Sequence, residues 1–260
     1  MRRKNSSATT PDVDQLRQSH TPEAVSNRLR SAPTQSYLKD LIYGGTDGAV
    51  TTFAVVSGVA GAGMSEAIII VLGLANLIAD GFSMAVSNFL GTRAEHQQRE
   101  QKRKEERRHI ELLPEGEREE IRQIFEKKGF SGDELDRIVS TICNDKERWI
   151  DTMIQEEHGL SLTGPSPWKA ALATLLAFIV VGTIPLIIFL WNLLASAPHP
   201  DPFIFSAWST GFAFFSIGAF KGRFLNQSWF ISGIETFLIG SSAAILAYAT
   251  GFLLRGLVDG

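Results

Sequence analysis

The chain has 260 residues, a net charge of −3 and a single cysteine, with 44% apolar and 20% charged residues. These averages hide a sharp segregation. About two thirds of the acidic residues, with many Lys and Arg, fall within residues 92–160, while most of the remainder is apolar in runs of membrane-spanning length. The pattern excludes a disulfide framework within the chain and points to a membrane protein carrying a charged soluble insert.

Residues 1–36 are polar, rich in Ser, Thr, Pro and Gln, and read as a disordered basic tail. No apolar core follows Met1-Arg2-Arg3-Lys4, so this is no secretory signal. Residues 37–91 hold two expected transmembrane helices, at about 41–61 and 67–90. Residues 165–260 hold three more, at about 168–194, 203–220 and 229–254. Pro185 lies inside the third and predicts a kink there. Lys and Arg crowd the tail, the insert and the loop at Lys221 and Arg223. They are missing from 61–66 and 196–202. This alternation predicts five spans with the amino terminus in the cytosol. Arg255, on the far side, can snorkel to the interface.

The insert, residues 92–164, reads as three helices. The first continues the second span until Pro114 ends it. The second stops at Gly129. The third, capped by Ser131 or Asp133, runs to about Glu157. Ile121, Ile124, Phe125, Leu135, Ile138, Val139, Ile142, Trp149 and Ile150 recur at helical spacing and supply a small core, with Cys143 as a further small core residue. The juxtamembrane runs Lys102-Arg103-Lys104 and Arg107-Arg108 suit topology and anionic lipid rather than nucleic acid. Gly44-x-x-x-Gly48 and Gly218-x-x-x-Gly222 allow close helix approach.

Three acids fall within the spans: Asp47, Asp80 and Glu235. A charge at mid-bilayer costs at least about 2.5–3.5 kcal/mol, so such a group faces a pathway, a partner or an ion. Asn76, Asp80 and Met84 share one helix face, which Asp47 could meet. A carboxylate, an amide and a thioether suit a partly soft divalent ion, and they also suit plain helix packing. Glu235 reads either as a proton carrier or as a helix–helix hydrogen bond. In the insert, Glu106 and His109, Glu117 and Glu120, and Met153 and Glu157 each project from one helix face. Converged, these faces would bind cations such as Fe²⁺ or Mn²⁺; apart, they are a solvated surface. There is no phosphate-cradling glycine loop, no metalloprotease spacing and no nucleophile–base pair, so an enzyme is not expected.

Taken together, Gly45-Thr46-Asp47-Gly48 with Thr51-Thr52-Phe53, the run Gly81-Phe82-Ser83-Met84-Ala85, and the order of spans and insert resemble the vacuolar iron transporter family from Tyr37 onward. The resemblance implies a homodimer that exchanges cytosolic Fe²⁺ for protons, with no cofactor beyond the transported metal. It places Asp47 and Met84 on the translocation path. It gives the insert a metal site at Glu106, His109, Glu117, Glu120, Met153 and Glu157, and leaves Asp80 and Glu235 as proton-coupling candidates. His109 and Asn88 stand where the family often has glutamate, and Ile154 stands where it tends to have a second methionine. The family name implies a vacuolar-type membrane, and a bacterial inner membrane fits as well. The alternative function is a membrane-anchored divalent-metal sensor or buffer without transport.

Overall fold

The structure, a computed structural model, describes residues 13–30, 36–195, 197 and 199–257. Among these, every regular element is helical. The chain divides into two compact units, Met1–Phe82 with Thr174–Gly260, and Ser83–Ala173. The expected disordered tail falls in part on residues 1–12 and 31–35, outside the described set. The loop expected at 196–202 also includes two such residues, 196 and 198. Where described, the tail forms two short helices, α1 (Val13–Ser19) and α2 (Pro22–Arg30), and α2 buries no residue.

The bundle unit is built around α3 (Leu38–Gly61). It also contains the first part of α4 (Glu66–Leu112), most of α8 (Pro167–Gly182), α9 (Ile187–Leu194), α10 (Pro202–Phe224) and α11 (Trp229–Leu254). Among the described residues, four helical stretches are long and apolar enough to cross a membrane: Glu66–Leu112, Pro167–Leu194, Pro202–Phe224 and Trp229–Leu257. The first expected span, α3, is a helix of 24 residues, about 36 Å long at 1.5 Å per residue, but it does not reach the same apolarity. The reason is its position. A helix packed against α10, α11 and the turn at Ile184–Leu186 presents little outward surface, so it can carry Gly44, Gly45, Thr46, Asp47 and Gly48 in place of larger apolar residues. Its inner face supplies Ala49, Phe53, Val56 and Val59 to a core shared with Ile69, Leu186, Phe189 and Phe214.

The expected kink is present. α8 stops at Gly182, a short 3₁₀ turn spans Ile184–Leu186, and α9 resumes at Ile187. Pro185 can donate no backbone hydrogen bond, and the buried Ser206 hydroxyl donates to its carbonyl at 2.7 Å.

Both glycine pairs serve as close approaches. A Cβ on Gly44 would meet the Thr174 carbonyl oxygen at 2.3 Å, and one on Gly48 the Phe178 carbonyl oxygen at 2.4 Å, so α3 and α8 pack backbone to backbone. A Cβ on Gly218 would meet the Ser232 carbonyl oxygen at 2.3 Å, which brings α10 equally near α11. Rigid backbone cannot rotate away from an added side chain. Gly48→Leu should therefore destabilise the bundle by about 1–3 kcal/mol or more. Thermal unfolding in detergent checks this, with a lowered midpoint expected for Gly48→Leu and little change for Gly91→Ala, where a Cβ meets nothing within 4 Å.

α4 is 47 residues long, about 70 Å, more than twice the hydrocarbon thickness of a bilayer, so its charged carboxyl-terminal half must leave the membrane. The second unit contains that half together with α5 (Pro114–Lys127), α6 (Gly132–Cys143) and α7 (Lys146–Glu156). Pro114 does two jobs. It ends α4 and sits at the first position of α5, where its missing N–H costs nothing. The third helix of the expected three-helix insert is instead two, α6 and α7. Asn144-Asp145 breaks it: the Asp145 carboxylate accepts from the backbone N–H groups of Glu147 and Arg148, both at 3.1 Å, and so caps a new helix. Ser131 is the cap residue of α6, without a side-chain hydrogen bond.

The core of this unit comprises Ile110, Ile121, Leu135, Val139, Ile142, Trp149, Ile150, Met153 and Ile154. Ile124, Phe125, Ile138 and Cys143 pack around it. Burial pushes the Cys143 thiol above its usual range, as befits a packing residue. Ion pairs fasten α7 along α4: Arg103 with Asp151, Arg103 with Glu147 at 2.8 Å, Arg107 with Glu147 at 2.5 Å, and Lys146 with Glu111. Each pair is worth little alone, but together they fix the register of α7 against Glu106.

Candidate metal centre

Glu106 is the hub. It lies on the inward face of α4 and is only 2% exposed. Two groups of three potential ligands share it. The first is Glu106, Glu157 and His158; the second is Glu106, His109 and Glu117. Within each group, one ligand atom from every residue lies within 4.8 Å of the others. His158 Nε2 is 2.8 Å from Glu106 Oε1 and 3.7 Å from Glu157 Oε2. His109 Nδ1 is 3.5 Å from Glu117 Oε1.

Local structure explains the convergence. α7 ends at Glu156, and Gly159, in the left-handed region at φ +63°, reverses the chain just beyond it. The Leu160 N–H then donates to the Ile154 carbonyl at 2.9 Å. This turn keeps His158 beside Glu106. The tight joint at Leu113-Pro114 folds α5 back on α4, so Glu117 faces His109.

The electrostatics are those of a site short of positive charge. Oε2 of Glu106 and Oε2 of Glu117 are buried without a hydrogen-bond partner, a costly state for a carboxylate. Burial, followed by repulsion from Glu120 and Glu106, pushes the Glu117 carboxyl up to about 7. Burial also raises Glu157, an effect that His158 opposes. A divalent cation would relieve every one of these penalties, and carboxylates with imidazole suit Fe²⁺, Mn²⁺ and their neighbours.

A pH dependence follows. Glu117 keeps its proton to about pH 7 when folded and loses it near 4.5 when unfolded. Between those values the folded state binds more protons, so metal-free stability falls as pH rises from 4.5 to 7. Metal competes with that proton. The rise in melting temperature produced by Mn²⁺ should therefore be larger at pH 7.5 than at pH 5.5, measured on the full chain in detergent.

The other expected site residues are placed as follows. Glu120 is exposed and belongs to neither group, acting on Glu117 only through its charge. Met153 is fully buried in the apolar core. Asp47 is partly buried on α3; its carbonyl accepts from the Thr51 hydroxyl at 2.9 Å, and that hydroxyl accepts from Asn76 Nδ2 at 3.4 Å. Asp47 is thus held beside the α4 face that carries Asn76 and Asp80. Neither the Asp47 nor the Asp80 carboxylate has a hydrogen-bond or ion-pair partner among the described residues. Met84 is one helical turn beyond Asp80 on α4 and is partly buried. Glu235 is exposed, with Oε2 3.6 Å from Lys221 Nζ, a contact between α11 and α10. Asn88 Nδ2 donates to the Ala170 carbonyl at 3.3 Å, fastening α4 to the start of α8. His158 is the potential ligand that the sequence reading missed. The available signal was its adjacency to Glu157 immediately before a helix-ending glycine.

An apolar bundle with two carboxylates unpartnered among the described residues, and a helical unit with clustered potential cation ligands, mark a membrane protein with a candidate metal site. The VIT family matches residues 38–252, and the chain belongs to that family. Among its relatives, the vacuolar iron transporter of Toxoplasma gondii is 32% identical over 86% of this chain and 76% of its own length. The vacuolar iron transporter of Plasmodium berghei is 32% identical over 85% and 83%. Vacuolar iron transporter 1 of Arabidopsis thaliana is 31% identical over 81% and 83%. The family's members are transporters rather than enzymes, which fixes the class of this chain.

Proposed function

We propose that this protein moves Fe²⁺, and Mn²⁺ or similar divalent ions, out of the cytosol in exchange for protons. The observation that carries the reading is the buried Glu106, shared by two groups of metal ligands. On this reading α3 is a fifth membrane span, and the unit Ser83–Ala173 is cytosolic and gathers metal. Two protomers form a homodimer, in which Asp47 and Met84 of each coordinate the partly dehydrated ion. Protons arriving at Asp47, Asp80 or Glu235 from the far side release it into a vacuole-type lumen or a periplasm. The name vacuolar iron transporter, borne by the relatives, supports Fe²⁺ as cargo, and the oxygen and nitrogen ligand set supports the same ion class.

A second reading, a membrane-anchored metal buffer, has one observation in its favour: Ser83–Ala173 has its own hydrophobic core and its own ligands. A panel of divalent ions separates the two readings. Binding to the detergent-solubilised protein should follow Mn²⁺ < Fe²⁺ < Co²⁺, the order of a compliant oxygen and nitrogen site. Uptake into liposomes should occur for Fe²⁺. Binding without uptake of any ion would establish the buffer.

A further inference from the structure

Two apolar helices meet their first charges at one shared level. On α4, Arg93 is the first charged residue after the uncharged run 81–92. On α8, Lys169 is the last before a run without Asp, Glu, Lys or Arg that reaches residue 200. Three contacts inside the unit Ser83–Ala173 hold these positions together. Asn88 Nδ2 donates to the Ala170 carbonyl at 3.3 Å, the Phe89 and Trp168 rings lie 4.6 Å apart between centres, and a His96 ring N–H donates to the Pro165 carbonyl at 2.9 Å. Residues 165–170 therefore run along the α4 face that carries Asn88, Phe89 and His96. Both helical stretches are long and apolar enough to cross a membrane, so the level at which charge returns on both is that of the lipid headgroups.

This edge displays an aromatic ring and two cations. Trp168 is 74% exposed, and Val86, Leu90 and Leu172 continue the exposed apolar surface within about two turns. The Arg93 guanidinium stands 6.0 Å from the centre of the Phe89 ring, which sets its direction and leaves its N–H donors unused. Arg93 and Lys169 are both exposed, and neither has a hydrogen-bond or ion-pair partner among the described residues. Glu95 lies two positions from Arg93, off its helix face. The basic runs farther along α4 differ. Lys102 pairs with Glu105, Arg103 with Glu147 and Asp151, and Arg107 with Glu147. Those cations fasten the unit internally, whereas Arg93 and Lys169 have their charge to offer outward.

We propose that this edge binds an anionic phospholipid, whose phosphodiester is held by Arg93 and Lys169 and whose acyl chain descends along Leu90 and Trp168. A guanidinium matches phosphate oxygens in a two-pronged fork, and an indole ring settles at headgroup depth. A zwitterionic lipid carries its own cation beside the phosphate and gains less from these two.

The test reconstitutes the full chain in phosphatidylcholine vesicles and adds a rising fraction of phosphatidylglycerol brominated in its acyl chains, a short-range quencher of tryptophan. Subtracting the signal of Trp168→Phe isolates Trp168 from Trp149, Trp191, Trp208 and Trp229. Brominated phosphatidylglycerol should quench Trp168 in preference to brominated phosphatidylcholine by about thirtyfold in relative affinity, and Arg93→Gln or Lys169→Gln should each remove about fivefold of it. Arg93→Gln with Lys169→Gln should abolish the preference. Lys127→Gln with Arg137→Gln, which removes the same charge from exposed positions elsewhere in the unit, should leave it intact. Equal quenching by the two lipids would overturn the proposal in favour of unselective lipid contact. Equal loss in the Lys127 and Arg137 control would overturn it in favour of net charge alone. Quenching by neither lipid would place a protein surface over Trp168, and displacement of the lipid by soluble glycerol 3-phosphate would make this a site for free phosphate esters; either result overturns it.

Discussion

Asp47→Ala should cut Fe²⁺ flux on the order of 100-fold while leaving folded protein in the membrane. The two halves of that expectation have separate physical grounds. On the proposed reading of α3 as a fifth span, flux should fall because a charge there is costly and the carboxylate has no hydrogen-bond or ion-pair partner among the described residues that would explain it structurally. Folding should persist because the link from α3 to α4 runs through the Asp47 backbone carbonyl and Thr51 to Asn76, none of which the substitution removes. Size-exclusion chromatography and proteoliposome uptake, run on the same preparation, read the two halves independently. Asp47→Asn should behave like alanine, since the amide keeps the shape and loses the charge. Full flux in either variant would remove Asp47 from the pathway.

The second large effect belongs to Glu106. Because it serves both ligand groups, Glu106→Gln should lower divalent-metal affinity at both, on the order of 100-fold in total. His158→Ala and His109→Ala each touch one group and should cost about tenfold apiece, while Glu120→Gln should cost little, because Glu120 lies in neither. Titration calorimetry with Mn²⁺ on the full chain in detergent ranks the four. A ranking with Glu120→Gln as costly as Glu106→Gln would place the site on the exposed face of α5 instead. Glu106→Gln should also relieve part of the repulsion that raises Glu117, so its metal-free protein should lose less stability between pH 4.5 and 7.

Much of this was legible in the sequence, for identifiable reasons. Apolar runs marked the helices, Pro185 marked the kink, and Gly44 and Gly48 marked a close helix approach, because each of these acts through local backbone chemistry. The core of Ser83–Ala173 was readable from helical spacing. Asn144-Asp145 was passed over, since an Asp inside a helical pattern announces a cap only when its carboxylate reaches the next turn. The ligand pairs Glu106 with His109 and Glu117 with Glu120 were readable as faces. Which member of each turns inward depends on how α5 and α7 close on α4, a tertiary matter that spacing does not contain. Thus Glu106 is buried and Glu120 exposed, Met153 joins the apolar core, and His158 enters the site from a turn rather than from a helix face. The low apolarity of α3 has the same origin: its neighbours, not its length, decide how much of its surface faces outward.

The most direct measurement is simultaneous Fe²⁺ uptake and lumenal pH in proteoliposomes whose interior starts more acidic than the bath. Exchange predicts that Fe²⁺ accumulates, that the lumen turns alkaline in step with it, and that both signals vanish in Asp47→Ala and without the pH gradient. Fe²⁺ entry that proceeds at one rate with or without the gradient, and leaves lumenal pH unmoved, would contradict exchange.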